Sequence, residues 1–225
     1  MEVILQRSLD LIMIVGPNLG FVAQISKFRQ MRSSEGFSKF VSFILLMANI
    51  LRIFFWVGKR FSVILLFQSI SQIFMQIFVL RECLIYSERR EKNGYMKHFW
   101  DWNTLGEYVG FLSGVTVMLI ISSQVLGFDN VGYIETLGFL SAGVEAGLGL
   151  PQVISNYKNK TTESLSIALL MNWTLGDVFK TYYFIQTNSP MQMVLCGVFQ
   201  LAIDFVLILQ LIYYTYISPK TTKKD

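Results

Sequence analysis

The chain has 225 residues, of which 53% are hydrophobic and 15% charged; its net charge is +4 and its mean hydropathy +0.48. A soluble domain carries about 25% charged residues, so a chain this apolar cannot clothe itself in polar groups, and a water-soluble globule is excluded. The basic balance need not mean a nucleic-acid partner, because in a membrane protein it reports orientation.

A helix needs roughly 20 mostly apolar residues to cross the hydrocarbon. Seven stretches qualify: 8–29, 38–57, 62–84, 103–126, 131–154, 165–186 and 190–215. They use nearly the whole chain and leave no room for an extramembrane module. The first contains Pro17, Asn18 and Gln24 and is followed by no small-residue cleavage site, so it is expected to be retained. The second carries Asn49 and Arg52. The third places Gln68, Gln72 and Gln76 at i, i+4 and i+8, a polar stripe on an apolar helix. The long connection that follows holds His98, Phe99, Trp100 and Trp102, which read as an interfacial aromatic anchor.

The fourth stretch repeats Gly106, Gly110 and Gly114 at i+4, as Gly16/Gly20 and Gly143/Gly147 do elsewhere. Such faces let helices approach closely. Packing is expected, with a homodimer face as the alternative. In the fifth, Glu145, Gly149 and Gln152 share a helical face. Pro151 frees a carbonyl, giving either a packed kink or a hinge. The sixth carries Asn172 and the i, i+3 pair Asp177 and Lys180; the seventh carries Gln200 and Asp204. Cys83 and Cys196 are expected as buried thiols.

Of the 19 lysines and arginines, fourteen fall at or beyond the ends of the first, third and fifth stretches or in the C-terminal tail, and Arg7, Lys59 and Arg60 lie on the other side. The positive-inside rule puts the fourteen in the cytosol. The N-terminus is then lumenal or exterior and the C-terminus cytosolic, which an odd number of crossings satisfies.

The chain also repeats itself. Residues 23–56 align with 151–184 at an offset of 128 without a gap: Gln24 with Gln152, Glu35 with Glu163, Ser38 with Ser166, Asn49 with Asp177, Arg52 with Lys180. After a slip of four residues Gln68 meets Gln200 and Gln72 meets Asp204. Chance matching of apolar stretches pairs Leu with Ile; it does not pair the rare polar residues in order. The expected fold is an all-α polytopic membrane protein of seven transmembrane helices. Two parallel three-helix bundles, 8–84 and 131–215, are joined by a linker helix at 103–126.

These residues resemble the PQ-loop family, also called solute carrier family 66, whose Pro-Gln pair is Pro151-Gln152 in the second half and Ala23-Gln24 in the first. Gly36-Phe37-Ser38, Ala48-Asn49-Ile50-Leu51-Arg52, His98-Phe99-Trp100, Glu135-Thr136-Leu137-Gly138-Phe139 and Gly176-Asp177-Val178-Phe179-Lys180-Thr181 resemble its PQ-loop repeat-containing protein 1 branch. The resemblance implies ATP-independent, scramblase-like movement of phospholipids across Golgi and endosomal membranes. Elsewhere in the family it implies proton-coupled export of amino acids or another small solute, or a non-transporting receptor on the same fold.

Charges inside the hydrocarbon cost about 2.5–3.5 kcal/mol each on insertion scales and mark function unless they pair. The expected substrate path is therefore Gln24, Asn49, Arg52, Gln68, Gln72, Glu145, Pro151, Gln152, Asn172, Asp177, Lys180, Gln200 and Asp204. The carboxyl groups of Glu145, Asp177 and Asp204 are the candidates for proton coupling. No ligand set for a metal, no phosphate loop and no nucleophile with a partnered base is recognisable, so neither a cofactor nor enzyme chemistry is expected. Membrane lipids, through phospholipid head groups, are the expected partners.

Overall fold

The computed structural model describes residues 2–34, 37–87, 99–162 and 167–217. Among them every regular element is helical: α1 (Glu2–Met31), α2 (Lys39–Lys59), α3 (Val63–Ile85), α4 (Leu105–Leu126), α5 (Val131–Ala146), a 3-10 turn (Gly147–Gly149), α6 (Leu150–Asn159), α7 (Ile167–Gln186) and α8 (Met191–Ile212), which ends in a π turn (Tyr213–Ile217). Counting the interrupted α5–α6 as one crossing gives seven long helical segments. Six of them are long and apolar enough to span a bilayer. The exception, α7, has 20 residues but includes Asn172, Asp177, Lys180 and two adjacent tyrosines. The chain is a multi-pass integral membrane protein, and its many exposed apolar side chains, Phe74, Val125 and Leu175 among them, suit lipid rather than water.

The duplication is written in the backbone. Arg32 and Lys160, 128 residues apart, follow α1 and α6 with φ of 52° and 53°. Arg60 and Asn188, again 128 apart, follow α2 and α7 with φ of 50° and 47°. A left-handed residue satisfies the last carbonyls of a helix; at Arg60 the N–H returns to the Trp56 carbonyl at 2.8 Å. Helix α4 starts on a capping box, with Thr104 and Glu107 satisfying each other's backbone donors.

Contacts divide the chain into two compact units, residues 1–141 and 142–225. In the first, α3 packs against both α1 and α2. Ile25 and Phe28 of α1 meet Val79 and Cys83 of α3 in a buried cluster, and Asn18 donates to the Ser71 hydroxyl at 2.8 Å. The start of α5 lies along α2. A Cβ at Gly58 would fall 2.3 Å from Ile134 and one at Gly138 2.8 Å from Phe55, and Ser141 donates to the Ala48 carbonyl at 2.9 Å. In the second unit, α8 packs against α6 and α7, through Leu170, Ile203 and Leu207 with Val153 beside them. A Cβ at Gly149 would meet Ile203 at 2.6 Å and one at Gly197 would meet Thr181 at 2.3 Å.

Three expectations need correcting. The helix–helix close approaches use Gly58, Gly138, Gly149 and Gly197, not the i+4 glycine faces. Among the described residues, a Cβ at Gly20, Gly110, Gly114, Gly143 or Gly147 would meet nothing within 4 Å, and one at Gly16 would meet only Ile12 of its own helix. Spacing identifies a smooth face, but what crowds a glycine is set by the opposing helix.

Within the aromatic run after α3, Trp100 is not a surface anchor. Trp100 is buried and its ring lies 4.8 to 5.6 Å from those of Phe43, Tyr108, Trp102 and Phe111. Its indole N–H donates to the Lys39 carbonyl at 3.0 Å. Of that run only Phe99 is exposed, and His98 lies outside the described residues.

Finally, Glu145, Gly149 and Gln152 do not act as one face. The 3-10 turn intervenes between Glu145 and Gln152, and Pro151 sits in the first turn of the restarted helix, where a missing N–H costs nothing.

Candidate functional site

The second unit concentrates charge inside its apolar span. Lys180 on α7 lies 3.1 Å from Glu145 of α5 and 3.4 Å from Asp177, one turn back on its own helix. Its ammonium also donates to the Gln200 side-chain oxygen on α8. The Gln200 amide reaches back to the Glu145 carbonyl at 3.4 Å, and the Cys196 thiol donates to Gln200 at 3.7 Å. One cation is thus shared by three helices. All three compact positions that admit it are explained locally: α5 stops at Ala146, α7 tolerates Asp177 and Lys180 because they pair, and Gly197 lets α8 approach Thr181.

One turn from Gln200, Asp204 is buried. It lies within electrostatic range of Asp177 and Lys180. Its Oδ2 has no hydrogen-bond partner among the described residues. A buried acceptor left open costs about 1–3 kcal/mol, so the position is suited to a proton, water or a polar ligand.

In the first unit the two aspartates are replaced by amides, Asn49 for Asp177 and Gln72 for Asp204, while Arg52 stands where Lys180 does. Asn49, fully buried, donates to the Leu45 carbonyl and to the Gln72 side chain, both at 2.8 Å. Arg52, Gln68 and Gln76 are buried with them. Both side-chain polar atoms of Gln76, and the oxygen of Gln68, have no hydrogen-bond partner among the described residues. The stripe read from the sequence is therefore interior.

The other expected residues are not drawn into these clusters. Gln152 donates to Asn156 at 2.7 Å, and Asn156 donates to Gln210 at 3.1 Å, forming an amide chain that ties α6 to α8. Asn172 and Pro151 are exposed and Gln24 is half-buried.

Three features escape sequence reading. Glu82 is buried and binds Arg29 and Arg81. Lys39 pairs with Asp101 at 3.0 Å beneath the Trp100 cluster. The Tyr108 hydroxyl accepts from the Trp102 N–H and donates to the Trp102 carbonyl, each at 3.0 Å. A carboxylate within the third apolar stretch was the available signal for Glu82. Nothing local marks Tyr108.

Residues 133–193 match the family model of the PQ loop repeat. Over 130 residues the chain is 33% identical to Scramblase ANY1 of Saccharomyces cerevisiae, covering 54% of this chain and 32% of that protein. Over 65 residues it is 26% identical to the vacuolar histidine transporter YPQ3 of the same yeast, covering 29% and 22%. These matches span about a third or less of the curated relatives. A solved structure of a eukaryotic SWEET transporter shares the fold, with a TM-score of 0.61 at 15% identity over 93% of this chain and 94% of that one. Glu145, Pro151-Gln152, Asp177 and Lys180 thus lie in the part of the chain that is similar to the PQ loop repeat, set in a seven-helix membrane fold.

Proposed function

We propose that this protein moves phospholipids between leaflets without ATP, as a scramblase, in Golgi and endosomal membranes, with its N-terminus lumenal and its C-terminus cytosolic. The observation that carries this reading is the α5–α7–α8 cluster, in which both signs of charge are held together inside an apolar span. A zwitterionic head group brings one phosphate and one ammonium. Lys180 meets the former, Glu145 and Asp177 the latter, and Gln200 and Asp204 continue the polar surface. The likeness to Scramblase ANY1 supports the reading. On it the role is transport and not bond chemistry, and lipid is the partner.

A second reading is favoured by one observation: the buried Asp204 oxygen without a partner among the described residues, within electrostatic range of Asp177. Two neighbouring carboxyl groups suit a site that takes up a proton with a small solute, and the likeness to YPQ3 points the same way.

The test uses purified protein in liposomes containing a fluorescent phospholipid, with a membrane-impermeant quencher added outside. Neutralising only Asp177 and Lys180 would strand Glu145, which shares the same ammonium. The informative variant is therefore Glu145→Gln with Asp177→Asn and Lys180→Gln. Wild type is expected to accelerate loss of the inner-leaflet signal, and the triple variant to fold but fall to the rate of empty liposomes. No acceleration by wild type, together with proton-dependent uptake of an amino acid, would overturn the lipid reading in favour of the carrier.

A further inference from the structure

Near the end of α1 and the end of α3, two arginines meet on one carboxylate. Arg29 donates its Nε–H to one oxygen of Glu82 and Arg81 an Nη1–H to the other, each at 2.9 Å. The Glu82 side chain is 4% exposed, whereas those of Arg29 and Arg81 are 53% and 54% exposed. A guanidinium carries five N–H donors in a fixed fork. Each arginine commits one donor to Glu82, so a single buried charge orients two cations whose remaining donors turn outward. The triad keeps one unit of positive charge.

The platform beneath is well built. Ile25, Phe28, Val79 and Cys83 are buried under it. The Ser34 N–H donates to the Tyr86 carbonyl at 3.1 Å, tying the chain after α1 to the end of α3. Arg29 also lies 5.9 Å over the Phe78 ring. Arg29 lies in the last turn of α1 and Arg81 just before the last turn of α3, near the ends of two spanning helices that run in the same direction and so close to head-group depth.

Joining α1 to α3 does not explain the arrangement, since Arg29 and Glu82 alone would do that. Nor does the fold demand it. At the offsets that align the two halves, 128 for the first helix and 132 for the third, Arg29, Arg81 and Glu82 are replaced by Tyr157, Tyr213 and Tyr214. The second unit ties the matching helix ends with the neutral Gln152, Asn156 and Gln210 amides.

We propose that Arg29 and Arg81, preset by Glu82, form a site for a lipid head group bearing a phosphomonoester, drawn from the leaflet at that end of the unit. Guanidinium forks bind phosphate oxygens in pairs, and a monoester's charge of about −1.5 to −2 is drawn to the triad's net positive charge more strongly than a diester's single charge. The site lies wholly in the first unit and does not depend on what the α7–α8 cluster transports.

The test is binding to the purified full chain in neutral detergent, read as retained lipid and as thermal stabilisation. The probes are a short-chain phosphatidylinositol monophosphate, phosphatidylserine, phosphatidylcholine and inorganic phosphate. Wild type is expected to bind the phosphorylated inositol lipid about tenfold more tightly than phosphatidylserine, the worth of one charge-assisted hydrogen bond. Arg81→Gln leaves the Arg29–Glu82 tie intact and is expected to erase that preference with no loss of lipid-free stability. Arg81→Lys, which keeps the charge but not the fork, is expected to fall between. Equal binding of both anionic lipids by wild type, inorganic phosphate as effective as the lipid, or a preference that survives in Arg81→Gln would overturn the proposal.

Discussion

Replacing Lys180 by Met removes the one ammonium that Glu145 and Asp177 share, at 3.1 and 3.4 Å, and a donor to Gln200. The side chains of Lys180 and Glu145 are 12% and 9% exposed. Breaking a buried pair by deleting one partner costs about 3–5 kcal/mol, because the remaining charge stays buried without compensation. The Lys59–Glu135 pair of the first unit is the internal control. Its side chains are 40% and 30% exposed, and an exposed pair contributes about 0–1 kcal/mol. Lys180→Met should therefore be less stable than Lys59→Met by about 3 kcal/mol, more than a hundredfold in the unfolding equilibrium. Titration with a denaturing detergent in mixed micelles, followed by tryptophan fluorescence, measures both. The neutral Glu145→Gln, Asp177→Asn, Lys180→Gln variant should recover most of the loss, since replacing a whole buried ion set is often near neutral. If Lys180→Met proved as mild as Lys59→Met, or the triple variant no better than the single one, the pairing account would be wrong.

Trp100→Ala should destabilise by about 3–5 kcal/mol in the same titration, as large-to-small changes at buried aromatics do, because Trp100 anchors the connection onto α2 and α4; a surface-anchor role would leave stability unchanged. Gly197→Ala should cost about 1–3 kcal/mol through its clash with Thr181. Gly110→Ala, with nothing within 4 Å, should be neutral or stabilise by up to about 1 kcal/mol through helix propensity; a large loss there would mean that a partner covers that face. For topology, Ser34 is buried and poorly suited to labelling, whereas Lys27 and Asn159 are exposed. Lys27→Cys and Asn159→Cys should both react with a membrane-impermeant thiol reagent from the cytosolic side only, against the low background of buried Cys83 and Cys196. Lumenal reaction at either position would reverse the orientation.

What the sequence discloses here follows from rarity and periodicity. Polar residues are scarce in an apolar chain, so the pairing of Asn49 with Asp177 and of Arg52 with Lys180 exposes a duplication that recurs in the left-handed residues Arg32, Lys160, Arg60 and Asn188. The cost of charge in hydrocarbon singles out Glu145, Asp177, Lys180 and Asp204 before any coordinates exist. Contacts across long separations stay hidden. Arg29 finds Glu82 at a separation of 53 residues and Trp100 finds the Lys39 carbonyl at 61, and nothing local says which partner each will meet. Pro151 advertises a break, but the turn falls before it at Gly147–Gly149, because proline fits a helix's first turn and disturbs the one preceding it.

The two units differ most where they correspond most closely, and that difference bears on where function resides. Asn49 and Gln72 satisfy one another as a neutral donor and acceptor at 2.8 Å. Their counterparts are Asp177 and Asp204, two acceptors when ionised, which cannot satisfy one another at all. Such a pair is stable only with a cation, a proton or a polar ligand beside it. Lys180 serves Asp177 but is also engaged by Glu145 and Gln200, and one Asp204 oxygen has no partner among the described residues. The position aligned with Glu145 at the same offset is Pro17, so the first unit lacks the carboxylate that draws the ammonium toward the first helix of the repeat. The amide pair needs no counter-charge, although Asn49 Oδ1 has no hydrogen-bond partner among the described residues, whereas the two acids that replace it do need one. On the proposed function, that unequal chemistry on a common scaffold favours the second unit as the working site, whether the visitor is a lipid head group or a proton with its solute.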